Sequence, residues 1–508
     1  MLFHSVAFIF GFLPICLGVF LICRRLRYSL ASEYWLIACS IYFYAQFIPI
    51  HLLLFCVSIV VNFGLGRLLS QNSSKAILAM GVTFNLLTLI VFKYTGFAIA
   101  NINAFAGTTI PDPGIVLPLA LSFFTFQKIA YIVDVYRGGA PKYSFSNFLL
   151  FVLFYPQLIA GPICHHADLM PQIRQLREVR RDISLLLPTG ILLFCVGLFK
   201  KLGIADSVAI YADVAFNGVQ NQVTPDFFVA WFSVVAYTLQ IYFDFSGYSD
   251  MALGLGLMFG VKMPINFLSP YKATSIIDFW RRWHMTLSNF LRDYLYIPLG
   301  GSRAGPVRRA VNLCIVMLLG GLWHGASWTF VVWGGLHGLF LLINHWWRGV
   351  KGPSSGIERF NVSAWALTML AVMFAWVFFR APDLSTAFIL SKSMVGANGF
   401  VFPNQLAPLF ESIPGFGQVS FGSFGKVIAN GGSPLQLLWV PLAIAIALVL
   451  PNPYQWLEMN QKQPLQHSKV SWLPRFTPNW QWATFAFFLA MGSIVWQANT
   501  ARFLYFQF

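Results

Sequence analysis

"RAGPVRRAVNLCIVMLLGGLWHGASWTFVVWGGLHGLFLLINHWWRGVK" occupies residues 303–351. It opens on a basic run (303–309), and a second one ("RGVKGPSSGIER", 348–359) closes it; two apolar arms joined by "WHGAS" lie between. Short loops rich in Lys and Arg stay on the cytoplasmic side of a bilayer, so both ends belong inside. The chain therefore enters the membrane, turns near His324-Gly325 and returns. The first arm, 310–323, rises ~21 Å at 1.5 Å per residue. That predicts His324 well inside the bilayer, not at its surface.

The rest of the chain agrees with a membrane setting. Of 508 residues, 57% are hydrophobic and only 10% charged, against roughly 25% charged in a soluble domain. Aromatic residues reach 17%, as expected where Trp and Tyr line the interfaces. The class is a polytopic α-helical membrane protein. The net charge of +16 comes from clusters in short loops between apolar spans, which is the positive-inside pattern and excludes a nucleic-acid-binding face. Seven cysteines form no CxxC pair, so no disulfide framework is expected. The N-terminus lacks a basic n-region and a small-residue cleavage motif, and reads as a first span.

A crossing needs roughly 20 apolar residues. Candidate spans are 2–23, 30–50, 51–69, 76–99, 115–135, 184–199, 227–248, 362–379, 435–451 and 482–498, with shorter stretches at 146–163, 250–260, 310–323 and 326–346. "RRLR" (24–27) puts the N-terminus outside. The loops around Arg67/Lys75, Arg137/Lys142 and Arg174–Arg181 are then inside. The last two can share a side only if 146–163 does not cross, and Gly161-Pro162 breaks it, so it reads as re-entrant. Residues 383–433 form an exterior loop, 458–475 lie inside, and the C-terminus returns outside. No internal repeat or long linker divides 1–508.

GxSxG, HEXXH, P-loop and His-x₄-Asp motifs are all missing, which argues against a nucleotide-driven pump or a soluble-type hydrolase. His324 carries the chemistry instead. An ionisable group deep in a membrane is costly and usually marks a pathway or a catalytic centre, and neutral imidazole suits taking a proton from a hydroxyl. His284 lies in "DFWRRWHMTLSNFLRDYLYIPLGG" (278–301). There Trp280, His284, Leu287 and Leu291 share one helical stripe, with Arg281, Arg282 and Arg292 around it. Two readings stand: an interfacial helix on anionic lipid, or a site for a phosphorylated cytosolic ligand held by arginine forks. His284, His324, His337 and His345, with Cys164 and Asp278, show no tight ligand spacing, so no metal is expected. Gln127, Lys128 and Asp134, and Gln240, Asp244, Ser246 and Asp250, read as polar bridges between helices that also line a cavity.

Six segments in order resemble the membrane-bound O-acyltransferase family, most closely its bacterial alginate O-acetylase branch: 117–138, "YPQLIAGPI" (155–163), "YFDFSGYSDMALGLG" (242–256), 266–303, "LWHGASWTFVVWGGLHG" (322–338) and "FAWVFFRAPDLSTA" (374–387). The likeness is dense over about 115–387. It implies a ring of about 10–12 transmembrane helices plus re-entrant ones around a thin centre pierced by a tunnel. It also implies His324 as the catalytic residue, with His284 as the second invariant polar position. The C-terminal "FLYFQF" (503–508) is similar to hexapeptides of envelope O-acylation systems whose tyrosine is proposed to carry the acyl group, here Tyr505. A phenol with pKa near 10 makes an activated ester; the alternative is an aromatic interface anchor.

The expectation is an inner-membrane O-acetyltransferase with no bound cofactor. Acetyl-CoA would dock near 271–309, by Trp280, Arg281, Arg282 and Arg292. His324 would deprotonate a hydroxyl such as that of Tyr505, and His284 would position the thioester or its oxyanion. A periplasmic serine-hydrolase-like (SGNH) acetyltransferase and other polysaccharide-modification proteins would be the partners. The final acceptor would be alginate or another envelope glycan such as cellulose, peptidoglycan or a teichoic-acid-like polymer. A transporter of an acylated precursor and a scaffold subunit are the readings from other classes.

Overall fold

A computed structural model describes residues 1–159, 161–176, 184, 186–303, 305–351, 361–403, 420–422, 436–457, 476–496 and 504. The basic stretch 458–475, most of the 383–433 loop, Arg177–Arg181 and Tyr505 lie outside these residues. The helices are α1 (Leu13–Arg25), α2 (Ser29–Ala45), α3 (Pro49–Gln71), α4 (Lys75–Ala106), α5 (Leu121–Tyr136), α6 (Phe145–Leu153), α7 (His166–Leu176), α8 (Leu186–Leu198), α9 (Asp206–Gln220) and α10 (Phe227–Met258). They continue with α11 (Ile276–Trp280), α12 (Met285–Leu291), α13 (Gly305–His324), α14 (Trp328–Lys351), α15 (Val362–Arg380) and α16 (Leu384–Met394), and two more cover Trp439–Leu448 and Trp480–Val495. Among the described residues six are long and apolar enough to cross a membrane: residues 7–25, α3, α4, α10, α13 and α15.

α10 is the central pillar. Two-thirds (67%) of its apolar window is buried against protein, against 17% for α4, which stands at the rim. Asp226 starts α10 by accepting the N–H groups of Phe228 and Val229, satisfying donors that no helical turn reaches. The apolar stretch 250–260, read from sequence as a separate piece, is the end of this helix. Glycines let α8 lie directly on α10: a Cβ on Gly190 would come within 2.5 Å of the Gly254 carbonyl oxygen. A single buried cluster runs from Phe3 near the N-terminus to Leu504 near the C-terminus.

Prolines account for several departures from the expected spans. α5 starts at Leu121 and not at 115, because Pro118 and the residues before it disfavour helix. The 146–163 segment is short of a crossing, as its re-entrant reading requires: α6 has nine residues. It ends at Leu153 and not at Gly161-Pro162: Phe154 leaves the helical region at φ −48° and ψ 101°, and a short 3-10 turn over Tyr155–Gln157 follows. The start of the 383–433 loop is helical, with Asp383 capping α16 through the Thr386 N–H. Farther along, Val401–Pro403 pairs in parallel with Ser420–Gly422, a small addition to an otherwise helical fold.

α13 and α14 form the antiparallel hairpin that the basic–apolar–basic pattern predicts. Gly321 of α13 meets the Phe330 carbonyl, and Gly334 of α14 meets that of Met317. Counting from Gly305 instead of 310 carries His324 ~30 Å along the helix, a full span's length and more than the shorter arm predicted.

Candidate active site

His324 is the last residue of α13. The residue is 5% exposed, and its ring packs edge-on against Trp333 and Phe379, each at 5.2 Å between centroids. The structure brings His284 beside it, with ring centroids 6.3 Å apart. Two histidines separated by forty positions in the chain therefore share one site.

His284 is not on a continuous amphipathic helix. Its backbone turns left-handed, at φ 42° and ψ 53°, between α11 and α12, so the expected stripe of Trp280, His284, Leu287 and Leu291 is broken at its centre. A non-glycine residue held there is uncommon, and such strain gathers at functional sites. The turn aims the ring inward, fully buried, 4.8 Å from Phe245 of α10. Nδ1 lies 3.1 Å from Asn266 Oδ1. That oxygen also accepts the Thr286 hydroxyl at 2.9 Å and the Thr286 N–H at 3.3 Å, which fixes the amide orientation. Nδ1 is therefore the protonated nitrogen, and Nε2 carries the lone pair and has no hydrogen-bond partner among the described residues. In this neutral tautomer Nε2 is a hydrogen-bond acceptor.

One face of the site opens. A cavity of about 370 Å³ is lined by His324, Trp323, Lys93, His51, Tyr44 and Ser122, among others. Its walls come from the end of α2, the start of α3 and the start of α5. These are the ends opposite the basic loops.

The other sequence candidates divide. Trp280 turns inward and gives its indole N–H to Nδ1 of His337 at 3.3 Å. Arg282 pairs with Asp278 at 2.9 Å, and Arg292 holds Asp293 through two bonds of 2.7 and 2.9 Å. Arg281 is exposed and shares the surroundings of His345 with Arg309 and Arg348. Trp280, Arg281 and Arg282 follow one another at the end of α11, and Arg292 follows α12.

The sequence reading also treated Asp134 as a helix bridge without naming its partners. His165 Nε2, His166 Nε2 and the Tyr294 hydroxyl approach its Oδ2 at 2.6, 3.0 and 2.6 Å. Donor atoms so grouped invite a metal, but their protons say otherwise. The Ala167 N–H donates to His165 Nδ1 at 3.1 Å, which leaves the proton of the neutral ring on Nε2, facing the carboxylate. Burial and then the adjacent Asp134 carboxylate push the Tyr294 phenol well above its ordinary range, keeping it a donor. Asp134 Oδ2 is thus saturated by hydrogen bonds, and the group ties α5, α7 and the turn after α12 together. "CHH" at 164–166 was the available signal.

A helical membrane protein with two buried histidines side by side, one of them lining a cavity, has the make-up of an integral membrane enzyme. Residues 140–381, which include both histidines, match the family model of the membrane-bound O-acyltransferases. The chain is 41% identical to a peptidoglycan O-acetyltransferase of Helicobacter pylori, over 78% of this chain and 80% of that one. It is 40% identical to a probable alginate O-acetylase of Pseudomonas aeruginosa, over 78% and 75%. A teichoic acid D-alanyltransferase of Bacillus subtilis is more distant, at 27% over 46% and 60%. The chain belongs to the membrane-bound O-acyltransferase family.

Proposed function

We propose that this protein takes an acetyl group from acetyl-CoA on the cytoplasmic side of the inner membrane and delivers it outside for O-acetylation of an envelope polysaccharide. The observation that carries this reading is the pair of buried imidazoles 6.3 Å apart, one of which lines a cavity opening away from the basic loops. With those loops cytoplasmic, the N-terminus is periplasmic and the cavity is the acceptor's entrance. The exposed Arg281, with Arg309 and Arg348, suits the phosphates of CoA.

In the transfer the acyl C–S bond breaks and a C–O bond forms. The acceptor hydroxyl gives its proton to a neutral imidazole, His324, and CoA leaves as a thiol after taking that proton back. His284, 6.3 Å away between ring centroids and with Nε2 as its acceptor nitrogen, receives a hydrogen bond from the incoming hydroxyl or thiol. Relatives named for peptidoglycan and for alginate are equally similar, so both glycans are candidate acceptors. A periplasmic serine-hydrolase-like transferase would complete the delivery.

The tail supports Tyr505 as the intermediate acceptor. Leu504, its neighbour in sequence, is 2% exposed, and its backbone N–H donates to Asp244 Oδ2 of α10 at 2.9 Å. Asp244 is itself paired with Lys201 at 2.8 Å, so the acceptor of that bond is fixed.

Incubating the purified protein in vesicles with ¹³C-acetyl-CoA, followed by intact-mass and peptide mass spectrometry, tests the reading. A transient 13C-acetyl adduct or labelled glycan with release of CoA is expected, and movement of acetyl-CoA without any acyl transfer overturns it. Tyr505→Phe should lower acetate in the polymer by about 10²-fold or more, as loss of a nucleophile does. Acetylation at the wild-type level would show that the phenol carries nothing.

A further inference from the structure

α4 is the most lipid-facing of the long helices, yet it carries a lysine near its outer half, Lys93. Gly81, Asn85, Leu89 and Lys93 recur every four residues and so form one stripe. The first three are buried, and Asn85 is locked to Asn62 of α3 by an amide pair whose shorter bond is 2.6 Å. Two turns beyond that lock, Lys93 Nζ donates to the carbonyl oxygens of Trp323 and, at 3.0 Å, of His324. The next residue, Tyr94, gives its hydroxyl proton to the Leu322 carbonyl at 2.9 Å. Three successive carbonyls at the end of α13 are thus taken by two side chains of α4.

The last carbonyls of a helix have no partner within it, and where they are buried they need one from the protein. A cation there satisfies the groups and opposes the negative end of the helix dipole. At most sites this would be ordinary capping. Here the capped peptide is the one that joins Trp323 to His324, and Lys93 lines the same cavity as both. The Trp323 indole N–H is buried without a partner among the described residues, and the same peptide also sets where that donor stands.

We propose that Lys93 is a positioning residue for acyl transfer, holding the Trp323–His324 peptide so that the imidazole faces the cavity in a reactive orientation. This rests on the reading of His324 as the proton acceptor. Lys93 acts through main-chain oxygens, so its loss would misplace His324 without removing any group that contacts the donor. Misplacement of about 1 Å can cost about 10²-fold in rate.

The test is Lys93→Cys, purified as the full chain and assayed for CoA release from acetyl-CoA, before and after alkylation with 2-bromoethylamine. Alkylation rebuilds an amine of nearly the original length, and the wild type, treated in parallel, controls for the native cysteines. The expected result is a kcat about 10²-fold lower with KM for acetyl-CoA changed less than about threefold, and recovery of most of the kcat on alkylation. A kcat within about threefold of wild type overturns the proposal, as does a loss that alkylation leaves untouched. Lys93→Gln keeps two N–H donors and carries the same kcat-against-KM comparison if the cysteine variant does not accumulate. If His324→Ala also retains activity, the site reading has failed; if His324→Ala is inactive and Lys93→Cys is normal, only the positioning role has.

Discussion

His324→Ala should abolish acetylation while leaving the protein in the membrane. General-base catalysis contributes about 10²–10⁴-fold, so residual CoA release should fall by at least the lower of these factors. The substitution removes a ring that sits against Trp333 and Phe379 but touches none of the contacts that end α13. Those contacts are made by Lys93 and Tyr94 to backbone oxygens, which alanine still supplies. Stability should therefore change far less than activity. The measurement is acetate content of the polymer from cells carrying equal amounts of wild-type or variant protein in their membranes, with CoA release from purified protein alongside. Acetate at the wild-type level would remove His324 from the chemistry, and the cavity would need a different reactive group.

Much of this site was legible because membranes restrict what a sequence can mean. Two basic ends around two apolar arms leave only an in-and-out path, and α13 and α14 follow it. A histidine at the turn of such a path needs a reason, and His324 has one in the cavity. Other features were hidden by their physical nature. The left-handed turn at His284 depends on Asn266 meeting both the ring and Thr286, and a helical stripe drawn through 280–291 cannot reveal a single positive φ. The Asp134 knot joins residues 134, 165, 166 and 294, and only the folded chain brings them together. Lys93 escaped for the opposite reason: α4 reads as a plain lipid-facing span, and one lysine in it attracts no attention until its partner carbonyls are seen. Arg282 and Arg292 are each paired with an aspartate close by in sequence, partners that a count of arginines does not show.

Gly321→Leu should cost more than any polar substitution outside the histidine pair, because the hairpin is closed backbone to backbone. A Cβ on Gly321 would lie 2.2 Å from the Phe330 carbonyl oxygen and 3.1 Å from the Gly334 Cα. Both neighbours are main chain and cannot rotate away. α14 must therefore move outward, and the displacement acts three residues before His324. Overpacking of this kind costs about 1–3 kcal/mol, and a shift of about 1 Å at a reacting group can remove about 10²-fold of rate. Gly321→Ala should accumulate with a lowered melting temperature and about 10²-fold less activity, and Gly321→Leu should fail to give monodisperse protein in detergent. Gly349, farther along α14, has open space where a Cβ would go, and Ala is the better helix former by about 1 kcal/mol. Gly349→Ala should therefore be neutral or slightly stabilising in the same thermal-shift and CoA-release measurements. If Gly321→Leu behaved like Gly349→Ala, the two arms could not be in contact at this level, and the depth and orientation given to His324 by the hairpin would be wrong.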